Sequence, residues 1–366
     1  MSDRSAIEWT DATWNPVRGC SRVSKGCENC YAERQALRQA GPGGAYQGLV
    51  RMTSQGPRWT GKVRTVSELL DKPLHWREPR MIFVDSMSDL FHKDVPDEFI
   101  DKVFAVMGTC RWHTFQVLTK RADRMLEWFS ERWQPAPEAS QRQTYERLLE
   151  SAKVLKVEMP PFLLDTTGED RFDQVYDALD ELPRCVDTDD DRLWQDGTSN
   201  LLAGGWPIPN VWLGISAENQ ETFDERWPYL RDTPAAVRIV SLEPLLGPID
   251  ISEALTGRQL HQVIDGGESG PKAQPSHPNW FRSLRDQCQA AGVPYFHKQN
   301  GEWVECETDV LSEPPGRVVY PLDESIELSD NHGYKCMKAH GTEFVKAGKK
   351  LAGRMLDGRE HSEYPK

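Results

Sequence analysis

The chain reads as an α/β protein built as a partial or complete (β/α) barrel with a helical and acidic insertion, and three observations carry that expectation. Short apolar, β-rich runs recur along its length, nearly every one ends in polar residues, and helical patterns follow most of them. Alternation of this kind gives a parallel sheet. If the sheet curls, every strand's carboxyl end arrives at one rim, where polar side chains meet. Strand order is not written in a single sequence, so a doubly wound open sheet is the alternative.

The elements follow in order. Thr13-Trp14-Asn15-Pro16-Val17 is the expected first strand, and a cysteine-bearing loop and a helix over residues 31–40 come after it. Residues 41–75, rich in Gly and Pro at first, form a long excursion. Met81-Ile-Phe-Val84 leads to Asp85-Ser-Met-Ser-Asp89 and to a helix opening near Pro96, whose fixed φ suits a first turn. Thr114-Phe-Gln-Val-Leu118 leads to Thr119-Lys120-Arg121 and a helix through Met125 and Trp128. Residues 131–205 then break the rhythm as a subdomain or lid, helical around 141–155 and acidic afterwards. The repeat resumes with Val211-Trp-Leu-Gly-Ile215, Ser216-Ala-Glu218-Asn219 and a helix ending near Leu230. Val237-Arg-Ile-Val240 leads to Ser241-Leu-Glu243-Pro244, and Gln262-Val-Ile264 leads to Asp265-Gly-Gly-Glu268-Ser-Gly270 and a helix over residues 279–291. Pro294-Tyr-Phe296 leads to His297-Lys298-Gln299, and beyond about residue 305 short strands and turns replace the repeat. The expected divisions are thus 7–130 for the first part of the barrel, 131–205 for the insertion, 206–305 for the second part and 306–366 for a C-terminal extension.

With 366 residues and a hydrophobic fraction of 38%, the chain can bury a large core. It contains no apolar run of about 18 residues, and Met1-Ser-Asp-Arg-Ser lacks the regions of a signal peptide, so no membrane association and a cytoplasmic location are expected. The net charge of −13 argues against a protein that coats nucleic acid electrostatically, though a local basic cleft is compatible with it, because much of the acid lies between residues 158 and 192. The run Asp187 to Asp191 lacks the glycine and closing glutamate of a calcium loop and reads as an exposed loop. Most tryptophans lie beside expected strands and suit core packing, with one or two near the rim placed to stack on a base, and the late basic run from Lys335 to Arg354 suits a solvated surface or, as the alternative, contact with a phosphate backbone.

Cys20, Cys27 and Cys30 fall within eleven residues, whereas Cys110, Cys185, Cys288, Cys306 and Cys336 are scattered singly. Thiols of a cytoplasmic protein stay reduced, so the cluster suits a metal or a redox role. Three readings stand open. Three thiolates can hold three corners of a four-iron cluster and leave one iron free for chemistry. A zinc site needs a fourth ligand, for which His92, His113 or Cys288 would have to approach in space. A redox pair at Cys27 and Cys30 leaves Cys20 unexplained.

Several stretches in fixed order carry a family resemblance: Trp9-Thr10-Asp11-x2-Trp14-Asn15-Pro16-x2-Gly19-Cys20, Gly26-Cys27-x2-Cys30-Tyr31-Ala32, Phe83-x2-Ser86-Met87-Ser88-Asp89-Leu90-Phe91-His92, Leu118-Thr119-Lys120-Arg121, Gly266-Gly267-Glu268-Ser269-Gly270 and Lys298-Gln299. Together they resemble a phage-encoded protein family with a three-cysteine motif, over roughly residues 7 to 303. That family in turn resembles radical S-adenosylmethionine enzymes such as spore photoproduct lyase. The resemblance implies a barrel of the radical-SAM type, a [4Fe-4S] cluster on Cys20, Cys27 and Cys30, and S-adenosyl-L-methionine bound at its open iron. It further implies reductive cleavage of that cofactor to a radical that abstracts hydrogen, an external electron donor, and a nucleotide or nucleic-acid substrate, plausibly in phage DNA modification with or without a partner protein. The first cysteine gap here has six residues where the superfamily commonly has three, and Asn29 stands where an aromatic is usual.

Radical enzymes of this class often carry Gly-Gly-Glu after the second strand. Here Gly266-Gly267-Glu268 follows a much later one, and Asp85, Ser86, Ser88 and Asp89 hold the earlier place. The later triplet is read either as a strand-end turn or as a backbone approach to a ligand, with Glu268 accepting hydrogen bonds. Asp85, Ser88, Asp89, Lys120, Arg121, Glu218, Glu243, Glu268 and Lys298 each follow an apolar run. One such residue alone is most simply a solvated loop residue, but a barrel gathers them, so at least four are expected to line one pocket. Lys120 and Lys298 suit a carboxylate or phosphate there, and the carboxylates suit ribose hydroxyls or an ammonium. The alternative from another class is a zinc-stabilised barrel that binds a nucleotide or a partner without redox chemistry.

Overall fold

A computed structural model describes residues 5–135, 168–170, 207–305, 330–331 and 334–365. Among them, seven strands form one parallel sheet: β1 (Ala12–Trp14), β2 (Met81–Val84), β3 (Thr114–Thr119), β4 (Val211–Ser216), β5 (Val237–Leu242), β6 (Gln262–Asp265) and β7 (Tyr295–His297). Their order in the sheet is their order in the chain. Parallel crossovers are right-handed, so an order that never reverses puts every connecting helix on the same face. The sheet therefore curls as a partial (β/α) barrel, and the doubly wound alternative, which needs a reversal of order, does not apply. β1 and β7 do not pair with each other, so the barrel is open. The C-terminal segment lies along the edge of β7, with the His297 N–H donating to His361 O at 3.1 Å.

Five of the six connections carry α1 (Tyr31–Leu37), α2 (Asp97–Thr109), α3 (Ala122–Arg132), α4 (Gln220–Asp232) and α5 (Pro278–Ala291), and that between β5 and β6 carries only the single α-helical turn Ser252–Leu255. Local sequence sets their ends. Pro96 caps α2 with Asp97 and Glu98 in the first turn, where acids favour the positive end of the helix. Asn219 and Thr222 close a reciprocal capping box on α4, and Gly292, at φ 68°, ends α5 in the left-handed conformation glycine adopts without strain.

Two apolar layers sandwich the sheet. The outer one joins Ile82, Val84, Phe115, Val117, Leu213 and Val240 to the helices, with the Phe104 and Trp128 rings stacked 4.6 Å apart between α2 and α3. The inner one fills the concave face with Phe83, Leu118, Ile264 and Phe296, and Ile7 and Trp9 from the start of the chain and Tyr364 from its end pack against them. Gly214 faces this interior: a Cβ there would stand 2.5 Å from Ile239 Cγ1 and 2.8 Å from Leu118 Cδ2. Gly214→Ala is therefore expected to destabilise the fold by about 1–3 kcal/mol in denaturant titration, because close packing leaves no room for a methyl; unchanged stability would contradict this packing.

The 41–75 excursion contains a hairpin, Val50–Thr53 with Gly56–Trp59, and a strand Arg64–Thr65 that pairs with Val17–Arg18 just after β1. Buried Glu33 on α1 fixes that hairpin by accepting the Trp59 N–H at 3.0 Å and pairing with Arg22 at 2.8 Å. After β7 come antiparallel strands Trp303–Glu305, Tyr334–Ala339 and Thr342–Lys346. Of the expected insertion, only Gly168–Asp170, paired with Trp133–Pro135, is described beyond its start. The acidic run Asp187 to Asp191, Cys185, Cys306 and most of the stretch 306–333 lie outside the described residues. No described helix is long and apolar enough to cross a membrane.

Candidate active site at the strand-end rim

The loop after β1 arches over the carboxyl ends of the other strands and closes a cavity of about 450 Å3. Cys20, Cys27 and Cys30 line it together with Asp85, Ser86, Ser88, Asp89, Lys120, Glu243, Gly267, Glu268 and Lys298. Of the residues expected to hold the cofactor or cluster, only Glu218 and Gly266 stand off the lining. Arg121 lines it too, so eight of the nine rim positions that follow apolar runs share one space. Trp9, Tyr31, Trp59, Phe83 and Leu118 give it apolar walls.

Most rim carboxylates are engaged with the protein itself, and two of them fasten the cysteine loop. Glu218, with 0% of its side chain exposed, accepts the Gly26 N–H at 3.1 Å, pairs with Lys120 at 3.3 Å and meets Arg226 at 3.4 Å. Burial pushes its carboxyl up, yet Lys120, the Gly26 N–H and Arg226 outweigh that and hold it below the ordinary range. Gly26 permits the approach, since a Cβ there would sit 3.1 Å from the Glu218 carboxyl. Glu268 Oε2 accepts from Asn29 Nδ2 at 3.0 Å and from the Gln274 N–H at 2.7 Å, and burial raises its carboxyl. Asp89 aims Arg121: their ion pair is 2.7 Å, Arg121 donates to Ser21 O at 3.0 Å, and its Nη1 stands 3.9 Å from Cys20 Sγ. Burial, with Asp89 adding to it, pushes the Cys20 thiol up to about 12 against the pull of Arg121. Lys298 pairs with Glu243 at 2.9 Å, and the Tyr31 hydroxyl donates to Ser86 O.

The Gly-Gly pair makes room for neighbouring strand ends. A Cβ at Gly266 would meet Glu243 Oε1 at 2.6 Å, and one at Gly267 would meet Asn300 O at 2.3 Å. The Gly267 N–H donates to Gln299 O at 2.9 Å, so it is spent inside the protein and does not face the cavity as a free donor.

Asp85 is different. It is 3% exposed, its backbone is left-handed at φ 57°, and Oδ1 accepts from the Val17 N–H at 3.0 Å and Ser88 Oγ at 2.8 Å, but buried Oδ2 has no partner. Desolvation pushes this carboxyl up to about 8. The unfolded chain releases that proton near pH 4. Between about pH 4 and pH 8 the folded state therefore binds more protons, and the stability contributed by the protonated group falls as pH rises through that window. Asp85→Asn, which tolerates the same backbone, is expected to remove this slope and to exceed the wild type above pH 8 by a few kcal/mol; an unaltered slope in pH-dependent denaturation would contradict the assignment.

The zinc ligand candidates do not join the thiols. His92 hydrogen-bonds Ser21 Oγ through Nε2 and accepts the Asp94 N–H at Nδ1. His113 sits at the opposite end of the sheet between the Arg80 N–H and Pro73 O, and Cys288 is buried on α5. Among the described residues, no three of His, Cys, Asp and Glu are gathered to hold a single metal ion. The three thiols share the cavity's lining, and Cys20 lies close enough to Cys27 and Cys30 for their charges to act on it.

Sequence reading missed the fastening of the loop. Asn29, Gly26 and Ser21 carry no chemical signature of their own, although Asn29, polar where the resembled superfamily has an aromatic, held a trace of it.

Fold and site together define a class of protein: an open parallel barrel whose first loop brings three thiols over a polar strand-end cavity. The chain belongs to the family described as protein of unknown function (DUF5131), which matches residues 4–365. No curated protein matches it. Among solved structures it is similar to a cysteine-to-serine mutant of spore photoproduct lyase, with a TM-score of 0.36 and 10% identity over 94% of this chain and 71% of that one. It is also similar to spore photoproduct lyase complexed with dinucleoside spore photoproduct, with a TM-score of 0.34 and 8% identity over 90% of this chain and 66% of that one.

Proposed function

We propose that this protein is a radical S-adenosylmethionine-like iron–sulfur enzyme that acts on a nucleotide or on nucleic acid, as a phage DNA-modifying activity in the host cytoplasm. The observation that carries the reading is the sharing of one cavity by three loop thiols and by polar residues from the ends of six further strands. The donor set suits the group: the three cysteines are free, half-buried, and open to the same space. A bound cluster and S-adenosyl-L-methionine, with an external electron donor, supply one-electron cleavage and hydrogen abstraction.

The chain's own residues have the complementary tasks. Cys20, Cys27 and Cys30 hold iron. Asp85 gives up the proton that burial keeps on it when an ammonium meets its unpartnered oxygen, and Lys120 and Lys298 meet a carboxylate or phosphate. Glu243 and the Ser86 hydroxyl face sugar hydroxyls, Asp89 holds Arg121 in place and Ser88 holds Asp85, while Phe83 and Trp59 offer flat faces to a base and keep water out. The motif resemblance supports the nucleic-acid part. Reduction under anaerobic conditions should release 5′-deoxyadenosine from S-adenosyl-L-methionine in wild type and not in Cys20→Ala. Cluster-loaded wild type that releases none would overturn the reading. The zinc-stabilised alternative needs a fourth ligand, and among the described residues His92, His113 and Cys288 are engaged elsewhere.

A further inference from the structure

A second cavity, about 340 Å3, opens beside the first between the start of α3 and the face of α4. Lys120 and Arg121, with Ser21 and Val23 of the cysteine loop, line both cavities and form the wall they share. Across from them stands Arg226 on α4, 2% exposed. Its Nη1 donates to Ser216 O at 2.6 Å and reaches Glu218 at 3.4 Å, but Nε and Nη2 are buried without a partner. Buried guanidinium N–H groups are costly to leave unpaired, and an orphaned pair signals a missing acceptor. Nε and Nη2 lie on one edge of the planar group and donate in parallel, which matches two oxygens of a tetrahedral anion. The local charge agrees. Arg121 is balanced by Asp89 and Arg22 by Glu33, whereas Lys120 and Arg226 share the single carboxylate of Glu218. Asp123 and Glu225, the carboxylates on the cavity's own lining, are exposed, so water weakens their repulsion of an anion without abolishing it.

We propose that this second cavity is a phosphate subsite, in which Arg226 grips the phosphate ester of a nucleotide whose base and sugar occupy the rim cavity, with Lys120 and Arg121 bridging the two. This rests on the rim cavity being a nucleotide site and on nothing about its metal. The phosphate can belong to a mononucleotide or to a nucleic-acid strand, and the chemistry of recognition is the same.

Equilibrium binding to the full chain, read by calorimetry without reductant or cofactor, tests it. A nucleoside 5′-monophosphate should bind at least tenfold tighter than its nucleoside, inorganic phosphate should compete with it, and a 5′-phosphorylated oligonucleotide should bind tighter still if a strand is the source. Arg226→Gln should bring the monophosphate down to the level of the nucleoside. Because that variant also loses a buried contact, Asp123→Asn with Glu225→Gln, both exposed, gives the independent reading: it should tighten the monophosphate twofold or more and leave the nucleoside unchanged. Equal affinity for nucleoside and monophosphate, equal competition by acetate, or no response to the exposed pair would overturn the proposal. Loss of iron–sulfur chemistry would leave these outcomes where they are, so the two readings fail separately.

Discussion

With a cluster on the loop as proposed, Cys27→Ala is expected to lose nearly all bound iron and the visible absorbance that goes with it. Three thiolates fix a cluster at three corners, and with one removed the remaining two cannot keep it against dissociation. Cys27 lies in the short turn Lys25–Cys27, half-buried on the cavity, so its removal leaves no core void. The unfolding free energy of the iron-free chain should therefore move by less than about 0.5 kcal/mol, as for a surface substitution. The control is Cys110→Ala: that thiol is fully buried in the outer core, far from the rim, and its loss should cost stability while iron is retained. Iron content and denaturant titration of the two variants separate the roles. Full iron retention in Cys27→Ala would remove that residue from the ligand set.

Glu218→Ala is expected to be the most damaging single change at the rim, at about 3–5 kcal/mol, because it leaves charged Arg226 buried and Lys120 beside it with no carboxylate. The same substitution unties Gly26 and hence the cysteine loop. Glu218→Gln keeps an acceptor for the Gly26 N–H and should cost less. Since the folded carboxyl is held below its ordinary value, its contribution is present at neutral pH and is lost as pH falls through that lowered value. Wild type should accordingly converge with Glu218→Gln in acid. A loss under about 1 kcal/mol for the alanine variant at pH 7 would contradict this role for the carboxylate.

The repeat was legible in the sequence because a parallel strand buried on both faces reads as an apolar run, and its polar end stands out. Met81–Val84, Thr114–Thr119 and Val211–Ser216 fall where their runs place them. The order of the strands was not legible, since one sequence holds no record of which strand neighbours which. Register within the rim was legible only as composition. Eight rim positions do share a cavity, yet the reading of their carboxylates as groups free for a ligand overlooked partners 192 residues away at Gly26 and 239 residues away at Asn29. Such pairs exist only once the barrel has curled. Asp85 shows the converse: nothing in Asp85-Ser-Met-Ser-Asp89 distinguishes its two aspartates, but burial leaves one with an unpartnered oxygen and ties the other to Arg121, Thr119 and Lys120. Trp9, which the motif placed before the first strand, turns out to plug the concave face.

The most direct measurement is the metal and sulfide content of wild-type protein purified and held without oxygen. About four iron atoms and matching sulfide per chain are expected, with a brown colour that disappears when any of Cys20, Cys27 or Cys30 is replaced. A colourless protein carrying one zinc per chain, undiminished by iron and sulfide reconstitution, would contradict it.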